Sequence, residues 1–203
     1  MPAPVSHIEA PAPIAVLVSG TGTNLQALLD TVHGREAQIV AVASSIEDAP
    51  ALARAAAHGV PTAVFARSEY PDRQARDEAM ADWLCARGAR LVVLAGFMEL
   101  LSERFLTRFP DAVINVHPSL LPAYPGLHAI EQALAHGDET FGVTVHYVDA
   151  GIDTGPVIAQ RSVSLPGARD PAEVLQALRP LEHTLLPEAV RRIAAQQNHL
   201  VAA

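Results

Sequence analysis

The sequence predicts an α/β protein built on an open, doubly wound and mainly parallel sheet. Short apolar runs alternate with stretches of helical periodicity along the 203-residue chain. Several of these runs are apolar at every position, as expected for strands that helices cover on both faces of a sheet. No internal repeat or second domain is evident, and this length suffices for a single domain with a large core.

Strand and helix patterns alternate through the first half of the chain. IAVLVS (14–19) predicts a strand, and NLQALLDTV (24–32) has apolar residues at the spacing of one helix face. QIVAVAS (38–44) predicts a second strand, followed by an Ala-rich helix near 48–58 and by the short strand TAVFA (62–66).

The same alternation continues to the end of the chain. A longer helix is predicted from Pro71 to Arg87, with Pro in its first turn and Gly88 just past its end. The remaining predicted elements are a strand at LVVLAGF (91–97), a helix near 102–108, a strand at AVINV (112–116), a helix near 128–136, strands at FGVTVHYV and PVIAQRSV, and a closing helix over 171–195.

Composition excludes several classes of function. All fourteen basic residues are Arg, so Schiff-base chemistry, a pyridoxal phosphate site and a P-loop lysine are excluded. The net charge of −8 argues against nucleic-acid binding. The single Cys85 cannot form an internal disulfide and is interpreted as a small buried hydrophobe.

The chain has no apolar run long enough to span a bilayer, so no membrane partner is expected. Residues 1–12 contain several prolines and resemble neither a signal nor a transit peptide, so we interpret them as a flexible N-terminal extension to a catalytic domain at 13–203. Together these features predict a cytoplasmic location.

The first ligand-binding candidate is the glycine loop SGTGTN (19–24). Ligands of open α/β sheets bind outside the carboxyl ends of the strands, where this loop lies. Gly22 permits a tight turn, Thr23 and Asn24 add donors, and Asn24 is also a possible N-cap, so the loop suits a phosphate. A plain strand-to-helix turn is the alternative. A dinucleotide site is disfavoured because Leu25 replaces the third glycine and no acidic residue lies at the tip of the second strand.

The second candidate is a polar pair at the end of a buried strand. Asn115 and His117 are two residues apart, so they project from the same face, and Pro118 fixes the chain after them. An amide that donates to an oxyanion beside an imidazole that transfers a proton suits acyl chemistry. Asp153, in the Gly-flanked loop GIDTGP, is the best candidate for a carboxylate that orients the imidazole.

Other chemistries have weaker support. Ser119 follows His117, but a G-x-S-x-G elbow is missing. The nine histidines include neither an H-E-x-x-H motif nor an i, i+4 pair, so no metal site is predicted. His128 and His146 are candidates for the pocket lining, although ordinary surface or core packing is favoured for both.

Several segments of this chain resemble the phosphoribosylglycinamide formyltransferase family. They are VLVSGTGTNLQALLD, VVLAGFMELLS, INVHPSLLPAYPGLHAIEQAL, GVTVHYVDAGIDTGPVI and EHTLLP, and the resemblance spans about residues 14 to 190. It implies the Rossmann-like formyltransferase fold, and the transfer of a formyl group from 10-formyltetrahydrofolate to the amine of 5'-phosphoribosylglycinamide in purine biosynthesis. It also implies small-molecule substrates and a monomer or homodimer, and it requires no metal.

The resemblance also implies a role for each matched residue. The catalytic residues are Asn115, His117 and Asp153. The ribonucleotide-binding residues are Gly22, Thr23, Asn24, Arg179, Pro180, Leu181 and Glu182. The folate-binding residues are Arg73, Met98, Glu99, Leu100, Leu101, Asn115, Asp149, Ala150, Gly151, Ile152 and Asp153.

The chain departs from the family pattern at two positions. Glu99 lies where relatives often have Arg, and Ala123 where Lys or Arg is frequent. The loss of positive charge at these positions predicts a weaker attraction for an anionic folate tail.

Three other functions compete with formyl transfer. A formyltetrahydrofolate deformylase shares N-x-H-P but would have an additional N-terminal domain, and a methionyl-tRNA formyltransferase would need a further C-terminal domain and a more basic surface. A non-catalytic nucleotide-binding module would keep the glycine loop, but it has no need of Asn115, His117 and an Asp loop on one edge.

Overall fold

A computed structural model describes residues 10–201 and contains a seven-stranded sheet with helices on both faces. The strands are β1 (Ala12–Val18), β2 (Ala37–Ser44), β3 (Thr62–Val64), β4 (Leu91–Leu94), β5 (Val113–His117), β6 (Thr140–Tyr147) and β7 (Val157–Ser164). The helices are α1 (Thr23–Thr31), α2 (Pro50–Ala57), α3 (Arg73–Cys85), α4 (Glu103–Arg108), α5 (Ala129–His136) and α6 (Pro171–Val201), with a 3₁₀ turn at Arg67–Glu69.

The strand order is β3-β2-β1-β4-β5-β6-β7, which confirms the predicted doubly wound sheet. The first five strands of this order are parallel, whereas β6 is antiparallel to both β5 and β7. The chain winds outward from β1 in both directions, so the order reverses between β1 and β4. Ligands of such sheets bind at this reversal, beyond the carboxyl ends of the strands.

The core lies on both faces of the sheet, as the fully apolar strands predict. In β1, Ile14 and Val16 belong to the apolar cluster that contains residues of α1 and α6, whereas Ala15 and Leu17 belong to the cluster that contains residues of α3 and α4. Successive β1 side chains therefore enter opposite layers, and both layers are packed. This rigid centre fixes the position of the loop that follows β1.

The start of α3 and the end of α6 are among the predicted boundaries that differ from the structure. Helix α3 begins at Arg73 rather than at Pro71, because the side chain of Asp72 caps it by accepting a hydrogen bond from the Ala75 N–H at 2.8 Å. Helix α6 extends past the predicted end at 195 and contains Pro180 and Pro187 in its interior.

The N-terminal extension predicted over 1–12 lies mostly outside the described residues, and Ala12 is the first residue of β1. Between residues 10 and 201, no helix combines the length and the apolar character needed to cross a bilayer.

Candidate active site

A pocket of about 390 Å³ opens at the carboxyl ends of β4 and β5. One side is the segment 96–101, which follows β4 and is called the pocket wall below. The other sides are residues 115–118, 126–129 and 151–153, together with Val148. Four large apolar side chains around the pocket, Met98, Leu100, Leu127 and Ile152, are each more than half exposed. Such a surface suits a flat, largely apolar ligand.

Asn115 and His117 are brought together in this pocket, at the end of β5. They pair across the sheet with His146 and Thr144 of β6. The Nε2 atom of His117 lies 2.9 Å from the Tyr124 carbonyl oxygen. Because a carbonyl oxygen only accepts hydrogen bonds, this nitrogen carries a proton.

Asp153 reaches both polar residues of β5. Its Oδ2 lies 3.3 Å from Nδ1 of His117 and accepts a hydrogen bond from the Gly126 N–H at 2.8 Å. Its Oδ1 accepts a hydrogen bond from Nδ2 of Asn115 at 3.4 Å. Asp153 has a φ of 53°, in the left-handed region, so a turn of the loop aims its carboxylate at β5.

The surroundings of Asp153 stabilise its charged form. Burial alone would raise the pKa of this carboxyl, but hydrogen bonds from His146 and the Gly126 N–H, with the charges of His117 and His146, lower the pKa to about 2. The carboxylate is therefore ionised near neutral pH. One ring nitrogen of His117 faces this anion and the other faces a carbonyl oxygen, so each has a hydrogen-bond acceptor beside it.

His146 is a member of this cluster, so its interpretation as simple packing was incomplete. It is 1% exposed, its Nδ1 lies 2.8 Å from the Tyr147 carbonyl oxygen, and its Nε2 lies 3.4 Å from Oδ1 of Asp153. The same Nε2 is 3.3 Å from Nδ2 of Asn115. The strand pattern of β6 was visible in the sequence, but its antiparallel register, which pairs His146 with Asn115, was not.

His128, the other histidine considered for the pocket, does line it. Its side chain is largely exposed, and its Nδ1 lies 3.5 Å from a carboxylate oxygen of Glu131. His128 therefore lies at the rim, far more accessible to water than His117 or His146. The described part of the chain contains no group of three or more His, Cys, Asp and Glu side chains that could hold a metal ion.

The glycine loop lies beside the pocket wall at the same edge of the sheet. The Ser19 N–H donates to the Gly96 carbonyl oxygen at 2.9 Å, and Ser19 Oγ accepts from the Met98 N–H at 3.0 Å. Gly22 has a φ of 72° and is the N-cap of α1. The hypothesis that Asn24 is the N-cap was wrong, since this residue lies inside the first turn of the helix.

Asn24 instead connects α1 with α6. Its Nδ2 donates to Oε2 of Glu182 at 3.0 Å, and both side chains are buried. Burial raises the pKa of the Glu182 carboxyl, although the Asn24 hydrogen bond and the Arg179 charge oppose this shift. Burial also lowers the pKa of the neighbouring His183, with a smaller contribution from Arg179. The two segments predicted to bind the ribonucleotide, 22–24 and 179–182, are far apart in the sequence but meet at the amino end of α1.

The predicted folate-binding residues are only partly brought together. Met98, Glu99, Leu100 and Leu101 line the pocket, as do Gly151, Ile152 and Asp153. Asp149 and Ala150 are exposed outside the lining, although Asp149 Oδ1 fixes the loop by accepting from the Gly151 N–H at 3.0 Å and from Thr154 Oγ1 at 2.7 Å. Arg73 is exposed at the start of α3 and is not part of the pocket lining.

The predicted ribonucleotide-binding residues Pro180 and Leu181 lie in α6 between Arg179 and Glu182.

The chain is similar to known formyltransferases over most of its length. The profile of the Formyl transferase family matches residues 12–190. A phosphoribosylglycinamide formyltransferase of Mycobacterium tuberculosis is 42% identical over 187 residues, covering 92% of this chain and 86% of that protein. A trifunctional purine biosynthetic protein adenosine-3 of Drosophila pseudoobscura pseudoobscura is 40% identical over 186 residues, and there the match spans only 14% of the longer protein.

Solved structures resemble the fold over nearly its whole length. The crystal structure of glycinamide ribonucleotide transformylase 1 from Symbiobacterium toebii superimposes with a TM-score of 0.87 at 42% identity, covering 92% of this chain and 89% of that one. The phosphoribosylglycinamide formyltransferase of Coxiella burnetii gives a TM-score of 0.86 at 39% identity, with 92% and 89% covered.

Proposed function

The chain belongs to the formyl transferase family, and we propose that it transfers the formyl group of 10-formyltetrahydrofolate to the amine of 5'-phosphoribosylglycinamide. The single observation that carries this proposal is the convergence of Asn115, His117 and Asp153 in a pocket lined by exposed apolar side chains. The names of the similar proteins in Mycobacterium tuberculosis and Symbiobacterium toebii support the same formyl acceptor.

In the proposed reaction, the substrate amine attacks the formyl carbon of the donor. A bond forms between the amine nitrogen and that carbon, and the carbonyl electrons move onto the formyl oxygen. The Asn115 amide donates a hydrogen bond to this oxyanion. We assign the second donor to His117, whose Nε2–H then exchanges the Tyr124 carbonyl oxygen for the oxyanion while Nδ1 stays on Asp153. When the tetrahedral intermediate collapses, the bond from carbon to N10 breaks, the amine nitrogen loses a proton and N10 gains one.

Asp153 orients His117 and places a negative charge beside its imidazole. The Asp153 carboxylate, with a pKa of about 2, lies 3.3 Å from the imidazole Nδ1. We assign the proton transfer to the leaving group to His117. Nε2 of His146 lies within reach of both the Asp153 carboxylate and the Asn115 amide, and it can donate to the first or accept from the second.

We place the ribonucleotide phosphate at the amino end of α1, with Gly22, Thr23 and Asn24. The free N–H groups of a helix start favour an anion. Glu182 lies beside this end because it is hydrogen-bonded to Asn24. We assign it a contact with the rest of the same substrate. We place the pterin ring of the donor against the apolar pocket wall and the 151–153 loop. A monomer or homodimer and a cytoplasmic location stay predictions.

A steady-state assay tests the proposal. Purified protein is mixed with the formyl donor, and tetrahydrofolate release is followed with and without the ribonucleotide. We expect release only when the ribonucleotide is present. Equal release without it would support a hydrolase instead, and no turnover in either mixture would support a binding module.

A further inference from the structure

A fully buried arginine lies behind the pocket wall. Arg76 of α3 has a side chain that is 0% exposed, and the adjacent Asp77 is equally buried. Oδ1 of Asp77 accepts from Nε of Arg76 at 2.9 Å and from Nη2 at 2.7 Å. A guanidinium in the interior requires such a partner, because burial of an unpaired charge is strongly unfavourable.

The remaining side of the guanidinium faces the pocket wall. Nη1 of Arg76 forms no hydrogen bond of regular geometry, and its ion-pair partner is the Glu99 carboxylate. The side chain of Glu99 is 28% exposed, whereas its neighbours Met98 and Leu100 are each more than half exposed. Glu99 thus turns inward to the arginine, while the apolar residues on either side remain available to a ligand.

The pocket wall has no regular secondary structure, so side chains from other elements hold it. Ser19 accepts the Met98 N–H at the end nearer β4. At the other end, Oδ2 of Asp77 accepts the N–H of Ser102, the residue that caps α4, at 2.6 Å. The Arg76–Asp77 pair therefore contacts Glu99 and the ring of Phe97 within the wall, and Ser102 immediately after it.

We propose that Arg76 is a positioning residue of the pocket, which through Glu99 fixes the wall against which the formyl donor binds. Glu99 then serves as an anchor whose carboxylate is turned towards a guanidinium inside the protein, and not as a negative charge presented to the donor. The nature of the ligand rests on the proposed function, but the anchoring of the wall does not.

The two roles of Glu99 predict effects of opposite sign. If Glu99 anchors the wall, Glu99→Gln releases it and raises the KM for the formyl donor by about tenfold, a typical coupling between groups in contact, with little change in kcat. If Glu99 repels an anionic donor, the same variant lowers that KM. Glu99→Gln leaves the Arg76–Asp77 pair intact, so the fold is expected to persist. Glu131→Gln is the control, because it removes an exposed carboxylate beside the pocket rim without touching Arg76.

Hydrogen exchange on the protein without ligand tests the anchoring independently of any activity. We expect faster exchange in Glu99→Gln at the amides of 97–101, unchanged exchange in the interior of α3, and wild-type exchange in Glu131→Gln. Unchanged exchange at the wall, or a donor KM that falls or stays constant in Glu99→Gln, would overturn the inference. If the wild type itself shows no formyl transfer, the proposed function fails, and the exchange result alone decides whether Arg76 anchors the wall.

Discussion

Replacing Asp153 by Asn removes one negative charge from the centre of the site and leaves the shape nearly unchanged. Asn tolerates the left-handed φ of 53° at this position, so the backbone is not strained by the substitution. The carboxamide can still accept the Gly126 N–H, but it no longer balances the charge of His117. The variant therefore isolates the electrostatic contribution of the carboxylate.

The pKa shift gives the size of the effect on stability. A fall of the Asp153 pKa from 3.8 to about 2 corresponds to ~2.4 kcal/mol, and partial exposure to water reduces this to about 1–2 kcal/mol. Because the folded-state pKa lies below the unfolded value, this stability is fully present above about pH 4 and is lost as the pH falls towards 2. Asp153→Asn should thus be less stable than wild type at pH 7, by a difference that shrinks below pH 4.

The effect on catalysis is expected to be larger than the effect on stability. Without the carboxylate, His117 loses the partner that orients its imidazole, so kcat should fall by a factor on the order of 10²–10⁴, with ribonucleotide KM little changed. Urea unfolding between pH 7 and pH 3, together with steady-state kinetics, measures both effects. Asp111→Asn is a matched control, since Asp111 is an exposed aspartate whose φ of 52° is also left-handed. A kcat of Asp153→Asn within about threefold of the control would refute the role assigned to Asp153.

Three further variants test the proton donor, the buried acid of α6 and the packing of β6. His117→Ala should lower kcat by a factor on the order of 10²–10⁴ while calorimetry shows ordinary ribonucleotide binding; a near-normal kcat would show that another group transfers the proton. Glu182→Gln should raise Tm by about 2–4 °C at pH 7 but increase the ribonucleotide KM. The pKa of the buried Glu182 is raised, so the free energy of unfolding falls as the pH rises above the ordinary pKa of a Glu carboxyl, and the neutral amide avoids this loss. A lower Tm of the variant in calorimetry would contradict the expected direction. Gly142→Ala should destabilise the fold by about 1–3 kcal/mol without changing either KM, because the new Cβ would lie 2.8 Å from the Arg161 carbonyl oxygen and even closer to Leu120; unchanged urea unfolding would show that this part of β6 relaxes freely.

The sheet was predictable because its strands are apolar at successive positions. The runs at β1, β2 and β4 are largely buried on both faces, and short apolar runs that alternate with helical segments are typical of a parallel sheet between two helix layers. The direction of β6 and β7 was not predictable, because alternation identifies a strand but not its partner's orientation. Helix α6 continues through its two prolines, as predicted, because packing of Leu185, Leu186 and Val190 against the core outweighs the loss of helical hydrogen bonds there.

The site was predictable where residues close in sequence act together. Asn115 and His117 lie two positions apart at the carboxyl end of one strand, and ligands of open α/β sheets bind beyond the carboxyl ends of the strands. Contacts that depend on strand register or loop path were missed, as with His146 beside Asn115 and the Tyr124 carbonyl beside His117. The ion pair of Arg76 with Glu99 was equally hidden, because the sequence cannot show which way a loop side chain turns.

A single-turnover experiment with a ¹³C-labelled formyl donor tests the central claim most directly. Excess protein is mixed with the donor and the ribonucleotide, and carbon NMR follows the label. We predict that the label moves from N10 of the folate to the amide nitrogen of the ribonucleotide in wild-type protein, and far more slowly in His117→Ala and Asp153→Asn. Appearance of the label as free formate, or equal transfer in the two variants and the wild type, would contradict the assigned reaction or the roles given to these residues.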